Sequence, residues 1–429
     1  MRYSSAPVET RLEAILDRGT RQDLDGEHAR CALLAAAGCI DGKRVWIAAT
    51  DASRARGAIG VTEAARLGKL LRAAREAPAP VFLLLDSAGA KVDEGLAALG
   101  AFRRLYREAL TTRLAAVPMY ALLGRACFGG SSMLATLCNL RVYCPRTLLG
   151  VSGPGVIQAL AGSDQLDATD PAAVEALMGG AARTQLGYDD VLVGDDLAAF
   201  RSRASELAGA RMAEGVSVYT KHEELARRLG AAAGQLVESD EARRKMHHLT
   251  PSGYVCSARG DVIRAIAPEP RGQPALVGVL NGAAIGAAAC WVLADELLRL
   301  HESYPGIAVI LVLDATGHAT TRHDEELLLS DYITHFALTA AWLATQNHRV
   351  LLWIPGHAAG AVYVAFAAPA EHVSVLPSAQ IRILPQAAVQ QILGAASAET
   401  SDPPTWLRAG VADALLDRRL ASYADMFHT

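Results

Sequence analysis

VFLLLDSAGAKVDEG at residues 81–95 and VILVLDATGHATTRHDEE at residues 309–326 decide the fold, because the second repeats the pattern of the first. Each is an apolar run of strand length ending in an aspartate, Asp86 or Asp314, followed by a small residue, a glycine turn and an acidic helix start. The surroundings match as well. Ile59-Gly60 opens a helix-like stretch 26 residues before Asp86 (86 − 60), and Ile285-Gly286 does so 28 before Asp314 (314 − 286). Downstream, VPMYALLGRACFGGSSMLA (117–135) parallels RVLLWIPGHAAGAVYVA (349–365), with Gly124 answering Gly356. A repeat of this length predicts two copies of one α/β unit, with any site where the copies meet.

The chain has 429 residues, enough for two domains that each bury a full core. It is 51% hydrophobic but only 5% aromatic and 20% charged, a composition of small and aliphatic residues suited to close-packed helices. No apolar run reaches the ~20 residues that span a bilayer, and MRYSSAPVETRLEAIL lacks a basic-then-apolar signal pattern. These features read as a soluble, cytoplasmic protein with no membrane partner. A net charge of −4 argues against a general nucleic-acid binder. The seven cysteines (31, 39, 127, 138, 144, 256, 290) form no CxxC pair, which fits reduced core thiols and gives no metal motif.

Residues 1–200 read as a first domain. An amphipathic helix (VETRLEAILDRG) precedes a hairpin turning at Asp41-Gly42, and strands and helices then alternate at the spacing of βα units. Residues 201–272 read as a charged helical linker and surface layer. Residues 273–429 read as the second copy, starting with PALVGVLNGAAIG and closing with helices around 385–395 and 416–427.

A glycine turn after a buried strand leaves main-chain N–H groups pointing at one place, and a helix starting there adds its positive end. Candidates in the first copy are Gly89 and Ala90, with Gly129 and Gly130; in the second they are Gly317 and His318, with Gly360 and Ala361. Two such groups converging on one oxygen make an oxyanion hole, each donor worth roughly 2.7–4 kcal/mol as charge develops. Turn geometry alone also explains any single loop. Neither GxGxxG nor a phosphate-binding GxxxxGK[ST] motif is present.

DSAGAKVDEG, GRACFGGSSMLA and LLGVSGPGVIQ, in this order and spacing, resemble the carboxyltransferase branch of the crotonase superfamily, and most of all the β subunit of biotin-independent malonate decarboxylase. The second half is similar to that enzyme's γ subunit through VLDATGHATTRHDEE and IPGHAAGAVYVAF, so the chain resembles a β–γ fusion. The resemblance implies two tandem crotonase-like (ββα spiral) domains of carboxyltransferase type, paired commonly across a homodimer. It also implies a malonyl thioester substrate, carried on the phosphopantetheine of an acyl carrier protein or on CoA, that loses CO2 through an enolate held by main-chain donors. No further cofactor is then needed. Related carboxyltransferases carry Arg where this chain has Lys91, the candidate for the substrate carboxylate. The 316–323 loop departs from the usual γ-like residues. Two other readings stay open: the carboxyltransferase component of a biotin-dependent acyl-CoA carboxylase, and a non-catalytic scaffold.

Among polar residues, His318 and His357 could protonate the enolate, since histidine titrates near neutrality. Arg322 could bind a substrate carboxylate or belong to a helix-start charge cluster with His323, Asp324 and Glu325. Ser131 is a helix-start residue or a substrate contact, and Cys127 reads as core. Arg66, Lys69, Arg72 and Arg75 line one helix face and, with ARRKMHH (242–248), could steer an acidic carrier or simply be solvated.

Overall fold

The computed structural model describes residues 1–24, 31–187, 190–210, 217–230, 239–250, 253–269, 272–280, 282–384, 388–389 and 401–416. The helices expected around 385–395 and 416–427 lie outside these residues, apart from 388–389 and 416. The chain forms two compact units. The first takes in Met1–Val216 and, from the second half, Thr320–Asp331; the second takes in Ser217–Ala319, Tyr332–Pro385 and the described residues from 401 on.

In the first unit, β1 (Gln22–Asp23), β2 (Leu33–Ile40), β3 (Lys43–Thr50), β4 (Val81–Ser87), β5 (Met119–Phe128), β6 (Leu140–Tyr143) and β8 (Asp190–Leu192) lie in that order, with β7 (Leu148–Gly150) on the far end of β5. β1 to β3 run antiparallel, and β3 to β8 are parallel. The β2–β3 turn has Asp41 at φ 49° and Gly42 at φ 73°, the left-handed pair that a two-residue hairpin needs. Parallel neighbours require crossovers. These are α2 (Val61–Glu76), α3 (Gly95–Leu114) and α4 (Gly130–Leu137), while α1 (Val8–Ile15) and α8 (Leu197–Gly209) pack on the face carrying Ile47, Phe82 and Leu122. A smaller core around Ile157 and Met178 joins α5 (Pro154–Ala161) and α6 (Pro171–Met178), and α7 (Gly180–Arg183) follows. Strand β4 is buried on both faces, which explains why it reads as an unbroken apolar run rather than an alternation.

The second unit repeats the plan. Strands β9 (Val255–Arg259), β10 (Val262–Ile266) and β11 (Ala275–Leu280) are antiparallel, and β11, β13 (Val309–Asp314), β15 (Val350–Ile354), β17 (Val373–Val375) and β19 (Ala414–Leu415) are parallel. The stretch between the copies therefore holds more than the helices α9 (Val218–Leu229) and α10 (Asp240–Leu249). It supplies β9 and β10, turned through Gly260 at φ 59°, and these extend the second sheet. Crossover helices are α11 (Ala287–Ser303), α13 (Leu329–Thr345) and α14 (Gly360–Ala367), with α15 (Pro403–Ala409) before β19. Helix α12 (Arg322–Glu326) belongs to the first unit. Among the described residues no helix is long and apolar enough to cross a membrane.

Candidate functional site

In each unit the glycine loops sit past the carboxyl ends of the parallel strands, where open α/β sheets hold ligands. The repeat holds residue by residue. A parallel bridge joins Ile59 to Ala90 in the first unit, and the short pair β12 (Ala284–Ile285) and β14 (Gly317–His318) sets Ile285 opposite His318 in the second. Beyond the next strand, Ala126–Phe128 pairs with β7, and β16 (His357–Ala359) pairs with β18 (Gln380–Arg382). The glycine that follows is left-handed in both: φ is 56° at Gly129 and 53° at Gly360. That places Gly89-Ala90 against Gly317-His318, and Gly129-Gly130 against Gly360-Ala361, as equivalent pairs.

The first unit brings its two loops into contact. A Cβ on Gly129 would stand 3.4 Å from the Cα of Gly89, so a side chain at φ 56° would be both strained and crowded. The Gly89 N–H donates to Ser87 Oγ (3.1 Å), Ser131 Oγ donates to the same oxygen (2.7 Å), and Gly129 N–H donates to the Val151 carbonyl (3.1 Å). Ser131 is fully buried, and its hydroxyl ties the start of α4 to the β4 loop. The amides of Ala90 and Gly130 are left without a partner among the described residues, at half-buried positions. These two are the available donors.

Lys91 lies beside this pair with its charge already engaged. Its ammonium contacts Glu63 Oε1 (3.0 Å) and Oε2 (3.1 Å) and Glu94 Oε1 (3.4 Å). Burial disfavours the ammonium, but hydrogen bonding and attraction to Glu63, then Glu94, outweigh this and raise its pKa. Glu63 is further held by the N–H groups of Ala32 (2.9 Å) and Gly60 (3.0 Å), so the ion pair staples α2 to the loop. Cys127 is fully buried, and burial, with Asp86 nearby, pushes its thiol well up. An inert core thiol is the result.

In the second unit Gly317 is buried, His318 is half-buried, and α14, which packs against β14, begins at Gly360-Ala361, both buried. His357 is the exposed feature. Its main-chain N–H donates to Asp314 Oδ1 (2.7 Å), and its Nδ1 lies 3.0 Å from the same oxygen. That contact assigns the proton to Nδ1 and turns Nε2 outward. Arg322 sits in the first unit, about half exposed, bonded to Glu326 (2.7 Å). Arg66 and Lys69 bond the carbonyls of Leu33 and Leu24, and Arg72 and Arg75 share Glu108, so these cations have partners within the chain while Lys69 and Arg72 stay exposed.

Sequence reasoning missed Arg11, Arg183 and the burial of Glu325. Arg11 reaches Asp86 Oδ2 (2.8 Å) from α1, 75 residues away in the chain. Arg183 donates to the Glu325 carbonyl (2.6 Å) and lies 3.4 Å from its carboxylate. RHDEE reads as a helix-start charge cluster, and within it Glu325 is fully buried. Among the described residues no group of three or more His, Cys, Asp or Glu is arranged to hold a metal.

Residues 11–211 match the carboxyl transferase domain family, and residues 280–399 match the malonate decarboxylase gamma subunit family. The propionyl-CoA carboxylase beta chain of Rhodococcus erythropolis is 33% identical over 159 residues, 37% of this chain and 32% of that one. The methylmalonyl-CoA decarboxylase subunit alpha of Veillonella parvula is 28% identical over 128 residues, 30% of this chain and 25% of that one. The chain thus spans about a third or less of the length of these relatives. A Pseudomonas malonate decarboxylase hetero-tetramer solved with malonate is 25% identical, over 54% of this chain and 91% of that one, with a TM-score of 0.47.

Proposed function

We propose that this chain, which joins a carboxyl transferase domain to a malonate decarboxylase gamma-subunit domain in one polypeptide, removes CO2 from a malonyl thioester through an enolate held by main-chain donors. The observation that carries the reading is the repeated loop pair, each with a left-handed glycine opening a helix, at Gly129 and Gly360. In the first unit the Ala90 and Gly130 amides are the donors.

The chemistry needs little else from the protein. The bond between the α-carbon and the carboxylate breaks, its electron pair moves to the thioester oxygen, and CO2 departs. Donors fixed before the reaction stabilise that oxygen more than they stabilise the ground-state carbonyl. The α-carbon then takes a proton as the carbonyl re-forms. For an enolate held at the second unit's own loops His357 is the donor: Asp314 holds Nδ1–H, and the proton leaves from Nε2. The substrate arrives on an acyl carrier protein or on CoA.

The carboxylase beta chains among the relatives favour a second reading, carboxyl transfer to a biotin carrier. Intact-mass spectrometry of malonyl carrier protein and malonyl-CoA, each incubated with the enzyme without biotin or ATP, separates the two. Loss of the mass of CO2 from either thioester supports decarboxylation and identifies the carrier. Unchanged thioesters that turn over only when biotin is added support transfer instead.

A further inference from the structure

A buried carboxylate supplied by the second half of the sequence is built into the first unit directly behind its donor loop. Glu325 Oε1 accepts the Ser152 N–H at 2.8 Å. The neighbouring Val151 carbonyl accepts the Gly129 N–H at 3.1 Å, and the next amide is that of Gly130. The approach is close enough that a Cβ on Gly150 would stand 2.8 Å from Glu325 Oε2. On the other side Arg183 of α7 bonds the Leu149 carbonyl (3.0 Å), the Glu325 carbonyl (2.6 Å) and, more loosely, the carboxylate (3.4 Å). A second buried pair, Asp331 with Arg141 (3.0 Å), which also holds Asp190 (2.5 Å), anchors the end of the same inserted segment. The 149–152 turn is therefore clamped from both sides, and that turn is what the Gly129 amide leans on.

We propose that Glu325 is a positioning residue for the first unit's oxyanion donors: by accepting Ser152 N–H it fixes the Val151 carbonyl, and through it the orientation of the Gly129–Gly130 peptide. The inference rests on the reading of the glycine loops as donors. It assigns a role to a residue that touches no substrate. Burial in this apolar setting, only partly offset by Arg183 and by the Ser152 N–H, pushes the Glu325 carboxyl up to about 7. The clamp therefore changes charge in the neutral range. The charged groups around it are Arg183 from α7 and Asp324 on its own helix; the β7–α5 turn contributes main chain.

Two variants and a readout independent of activity test this. Glu325→Gln keeps an acceptor for Ser152 but has no charge to lose. Glu325→Leu with Arg183→Met removes the acceptor without leaving a lone buried charge. With 15N-glycine labelling, the Gly129 and Gly130 amide resonances should shift as wild type is titrated through neutrality, stay near the wild-type acid position at all pH values in Glu325→Gln, and move away in the double variant. Misaiming donors by about 1 Å costs about 10²-fold in rate, so the double variant should lose about that factor in kcat with KM kept, while Glu325→Gln keeps most of it. Glycine amides that neither titrate in wild type nor differ in Glu325→Gln overturn the proposal, as does a folded double variant with wild-type kcat. A wild-type enzyme that decarboxylates nothing would sink the proposed reaction alone, since the amide titration still decides the clamp.

Discussion

Asp86 and Asp314 end equivalent strands in the two units and do the same local work with opposite surroundings. Each carboxylate accepts a main-chain N–H from the next strand's end, Ala126 at 3.2 Å or His357 at 2.7 Å. Each crowds the glycine that makes room for it, Gly124 or Gly356. Yet Asp86 is sealed against Arg11, with side chains 7% and 5% exposed, whereas Asp314 faces His357 with 21% and 45% exposed. The lesson is that one turn design serves two ends. Where a buried guanidinium balances the aspartate, the turn is a structural rivet; where a half-open imidazole does so, the same turn presents a ring to solvent.

Breaking the buried version should have the largest effect. Arg11→Met leaves the Asp86 carboxylate buried and unpaired, and removing one partner of such a pair costs about 3–5 kcal/mol. Arg11 also bonds the Ser4 carbonyl and lies over the Tyr3 ring, which adds to the loss. Denaturant unfolding of the variant should show it, and a loss under about 1 kcal/mol would mean that the Ala126 N–H and entering water satisfy Asp86 without Arg11.

Next in size is a pH effect confined to the first unit. Glu325 titrates at about 7 in the folded chain against 4.5 ordinarily, so between these values the folded state binds the extra proton. The contribution is fully present below about 4.5 and is lost as pH rises through 7. The difference of 2.5 units corresponds to something on the order of 3 kcal/mol. Unfolding measured from acid to alkaline pH should show wild type losing stability relative to Glu325→Gln across this range. Parallel pH curves for the two proteins would contradict it.

Smaller again, Gly129→Ala and Gly360→Ala each put a Cβ on a left-handed residue, at about 1–2 kcal/mol. At Gly360 that Cβ would also stand 3.3 Å from the Ile383 carbonyl. The stability losses should be similar, so turnover sharpens the comparison: the copy whose variant loses about 10²-fold in kcat holds the productive donors, and equal losses mean that both do.

How much of this the sequence discloses follows from what a local pattern can encode. The two apolar strands with their aspartates and glycine turns are legible because strand period, turn chemistry and helix start all lie within fifteen residues. The equivalence of Gly129 and Gly360 is legible for the same reason. Arg11 with Asp86, and Glu325 with Arg183, are not, because each pair joins residues 75 or 142 apart through tertiary packing alone. Arg322 and Glu325 show the limit most clearly. Both read as one helix-start cluster, but α12 is barely more than a turn, so whichever side packs against the 149–152 turn buries its residue while the other stays in water. Strands β9 and β10 were obscured by the charged helices just before them, although Gly260-Asp261 is an acceptable hairpin turn.

The smallest stability change and a large kinetic one should coincide at His357. Its side chain is nearly half exposed and its removal leaves Asp314 with the main-chain N–H, so His357→Ala should move stability by less than about 0.5 kcal/mol. If the imidazole protonates the enolate, turnover should nonetheless fall about 10²–10⁴-fold, with the thioester still bound. His357→Gln sharpens the test, since its amide can still bond Asp314 but cannot deliver a proton. A Gln variant as slow as the Ala variant, and equally stable, ties the effect to proton transfer. A Gln variant with wild-type turnover would make the exposed turn a rivet like the buried one, and the difference between Asp86 and Asp314 would then lie only in how much water reaches them.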